Sequence, residues 1–279
     1  MAGEQSLDGR VAVVTGAANG MGRVMARSLA TAGARIAAID IDRDGLGKLK
    51  ADSAFRAQGL ETIAADTSQT ADCKDAVART LATFGRLDIL VNCAGVSMRL
   101  AGSNRPRFFE ADPEGWRRIL AINAIGPFLM ARFAVEPMRE NGWGRIINIT
   151  TSFDTMMAAG LSAYGASKSA LEANSAIWSK ELDGTGVTVN VLVPGGPVDT
   201  PGFFPPGAPR LPVMLSPDLM GPPVAWLASP ASDGITGSRF IARDWDTSLP
   251  PAEAAARIRA PIGWPDLANA AAGARGAAI

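Results

Sequence analysis

Tyr164 and Lys168 stand four residues apart in Tyr164-Gly165-Ala166-Ser167-Lys168, and Tyr164 is the only tyrosine in the chain. Ala170, Ala173, Ile177 and Leu182 follow at near-helical spacing, which predicts one helix from Leu161 to Asp183. Residues four apart share a helix face, so the Lys168 ammonium would stand beside the Tyr164 phenol. A free phenol titrates at about 10 and is a poor proton shuttle at neutral pH. A cation held close favours phenolate, which makes the pair a candidate general acid/base for interconverting an alcohol and a carbonyl. The same spacing also describes a solvated helix face, so the pair needs company to carry meaning.

That company starts near the amino terminus. Arg10 to Thr15 is a short, near-continuous apolar strand of the kind buried on both faces of a parallel sheet. Gly16-Ala17-Ala18-Asn19-Gly20-Met21-Gly22 follows at once, then a helical pattern closed by Gly33. A glycine-rich turn between strand and helix lets backbone N–H groups and the helix dipole meet a pyrophosphate. The next strand, Arg35 to Ile39, ends in Asp40, which is placed to accept from adenosine ribose hydroxyls and to repel a 2′-phosphate. NAD is therefore expected over NADP, with Arg43 nearby as the opposing feature.

The alternation continues with a helix over 44–58, a strand from Leu60 to Ala65, a helix over 69–84, and a strand from Leu87 to Val91. Asp66 and the small residues of Asn92-Cys93-Ala94-Gly95 fall at carboxyl strand ends, where ligands of open α/β sheets bind. Cys93 reads as a small buried filler, since no base accompanies it. Residues 97–111 form a polar loop. A long helix from Pro113 to Arg139 contains Asn123 and Pro127, and proline denies the Asn123 carbonyl its helical partner. A bent helix follows, with an Asn123 oxygen free to hold a water. Gly144 to Thr150 is a fifth strand leading to Thr150-Thr151-Ser152, and Val187 to Val193 a sixth. Ser238 to Ala242 is a seventh, and a short helix starts at Pro223. The proline-rich segment 201–223, with Phe203, Phe204, Met214 and Leu215, reads as a lid. Those residues, with Met156 and Met157, point to an apolar or aromatic substrate.

The whole is one βα series, so a single α/β domain over residues 1–246 is expected, with a tail over 247–279 that packs on the domain or on a neighbouring subunit. Lys+Arg and Asp+Glu both number 27, so no net field attracts nucleic acid or an anionic membrane. With no histidine and only Cys73 and Cys93, a His-based triad is excluded and no usual zinc set remains. The start MAGEQSLDG lacks a signal-peptide pattern, and no apolar run reaches bilayer-spanning length. A cytoplasmic chain without metal is expected.

Thr15-Gly16-x3-Gly20-x-Gly22, Asn92-Cys93-Ala94-Gly95, Asn123, Tyr164-x3-Lys168, and Asn190-x3-Pro194-Gly195 with Thr200 together resemble the short-chain dehydrogenases/reductases, from about Gly9 to Ala242. The resemblance implies a doubly wound Rossmann fold with a seven-stranded parallel sheet, helices on both faces, and a homotetramer or homodimer. It implies Tyr164 as acid/base, Lys168 as the residue that lowers its pKa and binds the nicotinamide ribose, and Asn123 as holder of a relay water. It implies a hydroxyl donor at Thr151 or Ser152; neighbours on an extended segment point opposite ways, so only one can serve. By the same likeness the cofactor would meet Gly16, Asn19, Gly20, Met21, Gly22, Asp40, Ile41, Asp66, Thr67, Asn92, Ala94 and Gly95. On the far side it would meet Tyr164, Lys168, Pro194, Gly195, Val198 and Thr200. Two departures alter the rim: one extra residue before Thr200, and Asp244-Trp245-Asp246 where the family carries a glycine pair. The expected activity is NAD-dependent interconversion of a secondary alcohol and a ketone, apolar or aromatic, with Tyr164 as acid/base. The alternative is a silent NAD-binding regulatory or scaffolding subunit, and an isomerase or dehydratase on the same scaffold is a third reading.

Overall fold

Val11–Thr15 (β1) is buried at every position, as its unbroken apolar run requires of a strand covered on both faces. The computed structural model describes residues 6–264 apart from 104, 204–206 and 208–210. In chain order β1 is followed by Gly20–Thr31 (α1), Arg35–Asp40 (β2), Arg43–Leu49 (α2), Ser53–Arg56 (α3), Leu60–Ala64 (β3), Thr70–Phe84 (α4) and Ile89–Asn92 (β4). Then come Pro113–Leu120 (α5), Gly126–Glu140 (α6), Gly144–Ile149 (β5), Phe153–Met156 (α7), Ser162–Glu181 (α8) and Val187–Val193 (β6). Gly221–Ala228 (α9), Ser238–Ile241 (β7), Pro251–Ile258 (α10) and Arg259–Pro261 (β8) complete the described chain.

The strands form one sheet in the order β3-β2-β1-β4-β5-β6-β7-β8. The first seven pair parallel, which gives the doubly wound arrangement and sets the switch point between β1 and β4. The eighth strand, which the sequence pattern did not signal, comes from the tail and pairs antiparallel to β7, Arg239 opposite Ala260. Its three residues are too few to show a period, so only the pairing identifies it. Two apolar layers sandwich the sheet. One gathers Met25, Leu29, Val224 and Leu227 from α1 and α9, and the other Ala76, Val77, Met130 and Ala134 from α4 and α6.

Two expected helices differ from their sequence outline. The helix expected over 44–58 is two short pieces, because the Asp52 carboxylate caps a new start by accepting from Ala54 N–H. The long helix through Asn123 is broken by a π-turn at Ala121–Ile125, where the Gly126 N–H reaches back to the Ala121 carbonyl. Pro127 lies immediately after that turn and offers no N–H. Taken as one rod, Pro113–Glu140 has the length and composition of a spanning helix, with mean hydropathy 1.5 in its most apolar window, although no single apolar run does. Here it packs on the sheet, with 44% of that window buried.

Candidate active site

At the carboxyl ends of β1, β2, β3 and β4 lies a cleft of about 340 Å³, bounded by Gly16, Asn19, Gly20, Asp40, Asp66 and Gly95 among others. Its shape follows from glycine. Gly16 has φ +69° and a Cβ there would stand 2.9 Å from Ala94 Cα, while one on Gly22 would stand 2.0 Å from the Gly16 carbonyl oxygen. No side chain fits, so the loop backbone itself forms the wall. Asn19 precedes α1 without a side-chain cap, and the first turn carries no acid, so the helix's N–H groups stay available for an anion. Asp40 closes the other side: one carboxylate oxygen accepts from the Ala18 N–H at 3.0 Å and the other from the Asp42 N–H at 3.0 Å. Thr15 fixes the opposing turn by accepting from the N–H groups of Cys93 and Ala94 at 3.0 and 3.1 Å. These features fit a dinucleotide: an uncapped helix end for pyrophosphate and a carboxylate for ribose hydroxyls.

Beside this cleft the predicted acid/base pair sits on α8. The Lys168 ammonium donates to the Ile149 carbonyl at 2.8 Å and lies 3.6 Å from where a Gly95 Cβ would be. The Thr151 hydroxyl lies beside the Tyr164 phenol and favours its ionised form, and the phenol ring meets Phe203 edge-on at 5.7 Å. Ser152 faces elsewhere. Its Oγ caps α7, accepting from the Thr155 N–H and sharing a 2.8 Å bond with the Thr155 hydroxyl. Asn123 sits in the π-turn, fully buried. Its amide accepts from Val96 N–H at 2.9 Å and donates to the Val96 carbonyl at 3.0 Å and the Ser167 hydroxyl at 3.1 Å. Ser167 in turn donates to the Tyr164 carbonyl, so the turn and α8 are stitched together.

The electrostatics of the free protein run against the sequence expectation. Burial pushes Tyr164 up to about 12, and the neighbouring Thr151 hydroxyl only partly opposes it. Burial holds Lys168 down at about 8. Each group is moved towards its neutral form, so in this state Lys168 does not lower Tyr164. The Cys93 thiol is raised to about 12 by burial, in keeping with an inert filler.

Comparison with known proteins accords with this geometry. The family model described as short chain dehydrogenase matches residues 10–203. The chain belongs to the short-chain dehydrogenases. It is 39% identical to a D-threitol dehydrogenase of Mycolicibacterium smegmatis over 188 residues, 67% of this chain and 70% of that one. It superposes with TM-score 0.76 on a putative NAD(P)-dependent gluconate 5-dehydrogenase from Beutenbergia cavernae with bound NADP, at 30% identity over 86% of this chain and 97% of the other. A 3-ketoacyl-(acyl-carrier-protein) reductase from Brucella melitensis, complexed with NADH, gives TM-score 0.73 at 30% identity, covering 84% and 96%. The protein is thus an oxidoreductase of this family, and solved structures it resembles carry NADH or NADP.

Of the positions singled out in this short-chain dehydrogenase, Gly16, Asn19, Gly20, Met21, Gly22, Asp40, Ile41, Asp66, Thr67, Ala94, Gly95 and Thr200 line the cleft. Four do not. Asn92 is buried below it, donating to Asn148 Oδ1 at 2.9 Å and tying β4 to β5. Pro194 and Gly195 give their carbonyls to the Arg243 N–H and guanidinium, and Val198 forms an isolated bridge with Leu215. Arg118, Ile122 and Val96 also line the cleft and were missed. Arg118 and Ile122 are one turn apart, a signal usable once that helix face is known to look at the sheet edge. Among the residues expected to contact substrate, Met156 is 7% exposed and packs inward, whereas Met157 is 77% exposed. Phe204 lies outside the described residues.

Proposed function

We propose that this short-chain dehydrogenase interconverts a secondary alcohol and a ketone with NAD in preference to NADP, Tyr164 exchanging the proton at the substrate oxygen. The observation that carries the reading is the placing of the Thr151 hydroxyl next to the Tyr164 phenol beside the glycine-walled cleft. Two O–H groups meeting at one point can both address a single substrate oxygen, one polarising it and one moving its proton. Thr151 is the hydroxyl donor in this proposal, because Ser152 is engaged at the start of α7.

A bound nicotinamide would supply the hydride chemistry and, when oxidised, a positive charge that favours phenolate. Gly16, Gly20, Gly22 and the α1 N–H groups would hold its pyrophosphate, and Asp40 its adenosine ribose. Lys168 keeps two of its three N–H bonds free of the Ile149 carbonyl, for a ribose hydroxyl and a proton relay. The buried Asn123 holds the floor of that relay. Preference for NAD rests on Asp40, whose carboxylate would meet a 2′-phosphate as a like charge.

Phe203 against the Tyr164 ring and the exposed Met157 support an apolar or aromatic substrate. The D-threitol dehydrogenase relative acts, by its name, on a polar polyol, so the decisive screen must contain both chemistries. Following NADH and NADPH consumption with aryl ketones, and NADH formation with polyols, tests the proposal. Turnover lost in Tyr164→Phe with NAD binding kept is the expected result. Binding without turnover on every compound would replace it with a silent regulatory subunit, and product without net NADH change with an isomerase. We also propose self-association through the face where Ile125, Phe128 and Ile177 are exposed; a monomeric mass by light scattering would remove that element.

A further inference from the structure

Behind Thr151 three elements converge on one guanidinium. Arg239, on β7, donates through Nη2 to the Thr151 carbonyl at 2.7 Å and through Nη1 to the Glu172 carboxylate of α8 at 2.7 Å. Both side chains are buried, Glu172 completely. The same Glu172 oxygen accepts from the Thr150 hydroxyl at 2.8 Å. The other Glu172 oxygen accepts from the N–H of Gly263, just past β8, at 3.4 Å. The Arg239 guanidinium carbon lies 4.2 Å over the Phe153 ring, which packs in turn on Trp264 at 5.8 Å. Residues 150–153, the strap from β5 to α7, are therefore gripped at successive points: a hydroxyl, a carbonyl and an aromatic ring.

The carbonyl is the point that matters for chemistry. Fixing it fixes the plane of the Thr151–Ser152 peptide, and successive side chains on extended backbone face opposite ways. The orientation of that plane decides which hydroxyl meets Tyr164. We propose that Arg239, braced by Glu172 and closed over by the tail residues Gly263 and Trp264, is a positioning residue that turns the Thr151 hydroxyl, rather than that of Ser152, onto the Tyr164 phenol. This rests on the reading of Thr151 as hydroxyl donor. Arginine suits the task because its planar fork serves two acceptors at once, whereas a lysine ammonium in the same place keeps the charge and loses the fork. Neither Glu172 nor Arg239 is signalled by the sequence pattern, because their pairing joins α8 to β7 across 67 residues.

The test compares Arg239→Lys, the charge-free double variant Arg239→Met/Glu172→Met, and Thr151→Val. The double variant leaves no unpaired buried charge, so it keeps the experiment readable if Arg239→Lys unfolds. In whichever Arg239 variant folds, kcat is expected to fall roughly 10–100-fold, as for a small misplacement of a reacting group, with NADH affinity by fluorescence unchanged. Tyr164 is the only tyrosine, so tyrosinate absorbance reports on it alone, and its alkaline midpoint should rise in these variants as it does in Thr151→Val. Trp264→Ala, at a partly exposed position, should shift both readouts the same way by less. If a folded Arg239 variant keeps the parental kcat and midpoint while Thr151→Val is crippled, the positioning role is overturned and the reading of Thr151 stands. If Thr151→Val turns over normally, the reading of Thr151 fails and the positioning role goes with it.

Discussion

The Lys168 ammonium donates to the carbonyl of Ile149, the last residue of β5, at 2.8 Å. This bond pins α8 to the strand that delivers Thr151, and it aims the ammonium at the space in front of Gly95. A lysine held this way stands fixed behind Gly95, one of the residues that line the cleft. Its own acidity is set by burial, and that has a measurable consequence.

Lys168 is held at about 8 in the folded protein against 10.5 for a free side chain. The folded value is the lower one, so below pH 8 the folded state carries a buried ammonium at a cost, relieved as pH rises from 8 to 10.5. Tyr164, raised to about 12 from 10, works in the other sense: its stabilisation is complete below pH 10 and is lost towards pH 12. The buried cysteines also titrate late, so the difference between parent and Lys168→Met isolates the lysine. In denaturant titrations of the free protein Lys168→Met should be the more stable at pH 7, by about 1–3 kcal/mol. That advantage should shrink as the pH approaches 10; a difference independent of pH would refute the assignment.

Thr151 and Ser152 should separate cleanly. Thr151→Val removes the hydroxyl beside the Tyr164 phenol and should lower kcat by about 10²–10³, as loss of a polarising donor does. Ser152→Ala should leave kcat nearly intact while costing about 1 kcal/mol of stability through its lost α7 cap. The reverse pattern in steady-state assays would exchange the two roles.

Asp40 does two things at once, and its variants should show both. Asp40→Ser should bring NADP affinity towards that of NAD by removing the like charge that a 2′-phosphate would meet. It should also weaken both cofactors, because the Ala18 and Asp42 N–H groups lose their acceptor and the glycine-rich loop its brace. Dissociation constants for NADH and NADPH from fluorescence check this, and an unchanged ratio would take Asp40 out of the selectivity argument.

Pro127→Ala restores an N–H that can reach the Asn123 carbonyl and should convert the π-turn towards regular helix. Asn123 would then shift against its Val96 and Ser167 partners, and turnover should slow. Full activity with an unchanged thermal midpoint would break the link between the bend and the proton relay.

Much of the fold was legible because its signals are local. The parallel strands are short, mostly apolar runs, and the glycines of the loop after β1 fall where a side chain has no room. Where reading failed, a contact distant in sequence was responsible. Asp52 as a new cap splits a helix that periodicity alone would continue, and β8 exists only because β7 offers an open edge. Asn92, Pro194, Gly195 and Val198 carry motif identities, yet they brace the elements around the cleft instead of lining it.

The amino-acid order by itself determined the strand–helix series, the glycine wall of the cleft and the Tyr164–Lys168 spacing, since each depends on residues within a turn or a strand of one another. Tertiary structure alone decided that Thr151 faces the phenol while Ser152 caps a helix, and that Arg239 grips the strap between them. It also decided that Tyr164 is shifted up rather than down in the free protein. The physical reason is common to all three: hydrogen-bond direction and desolvation depend on what the fold packs around a group, and that neighbourhood is assembled from strands and helices far apart in the chain.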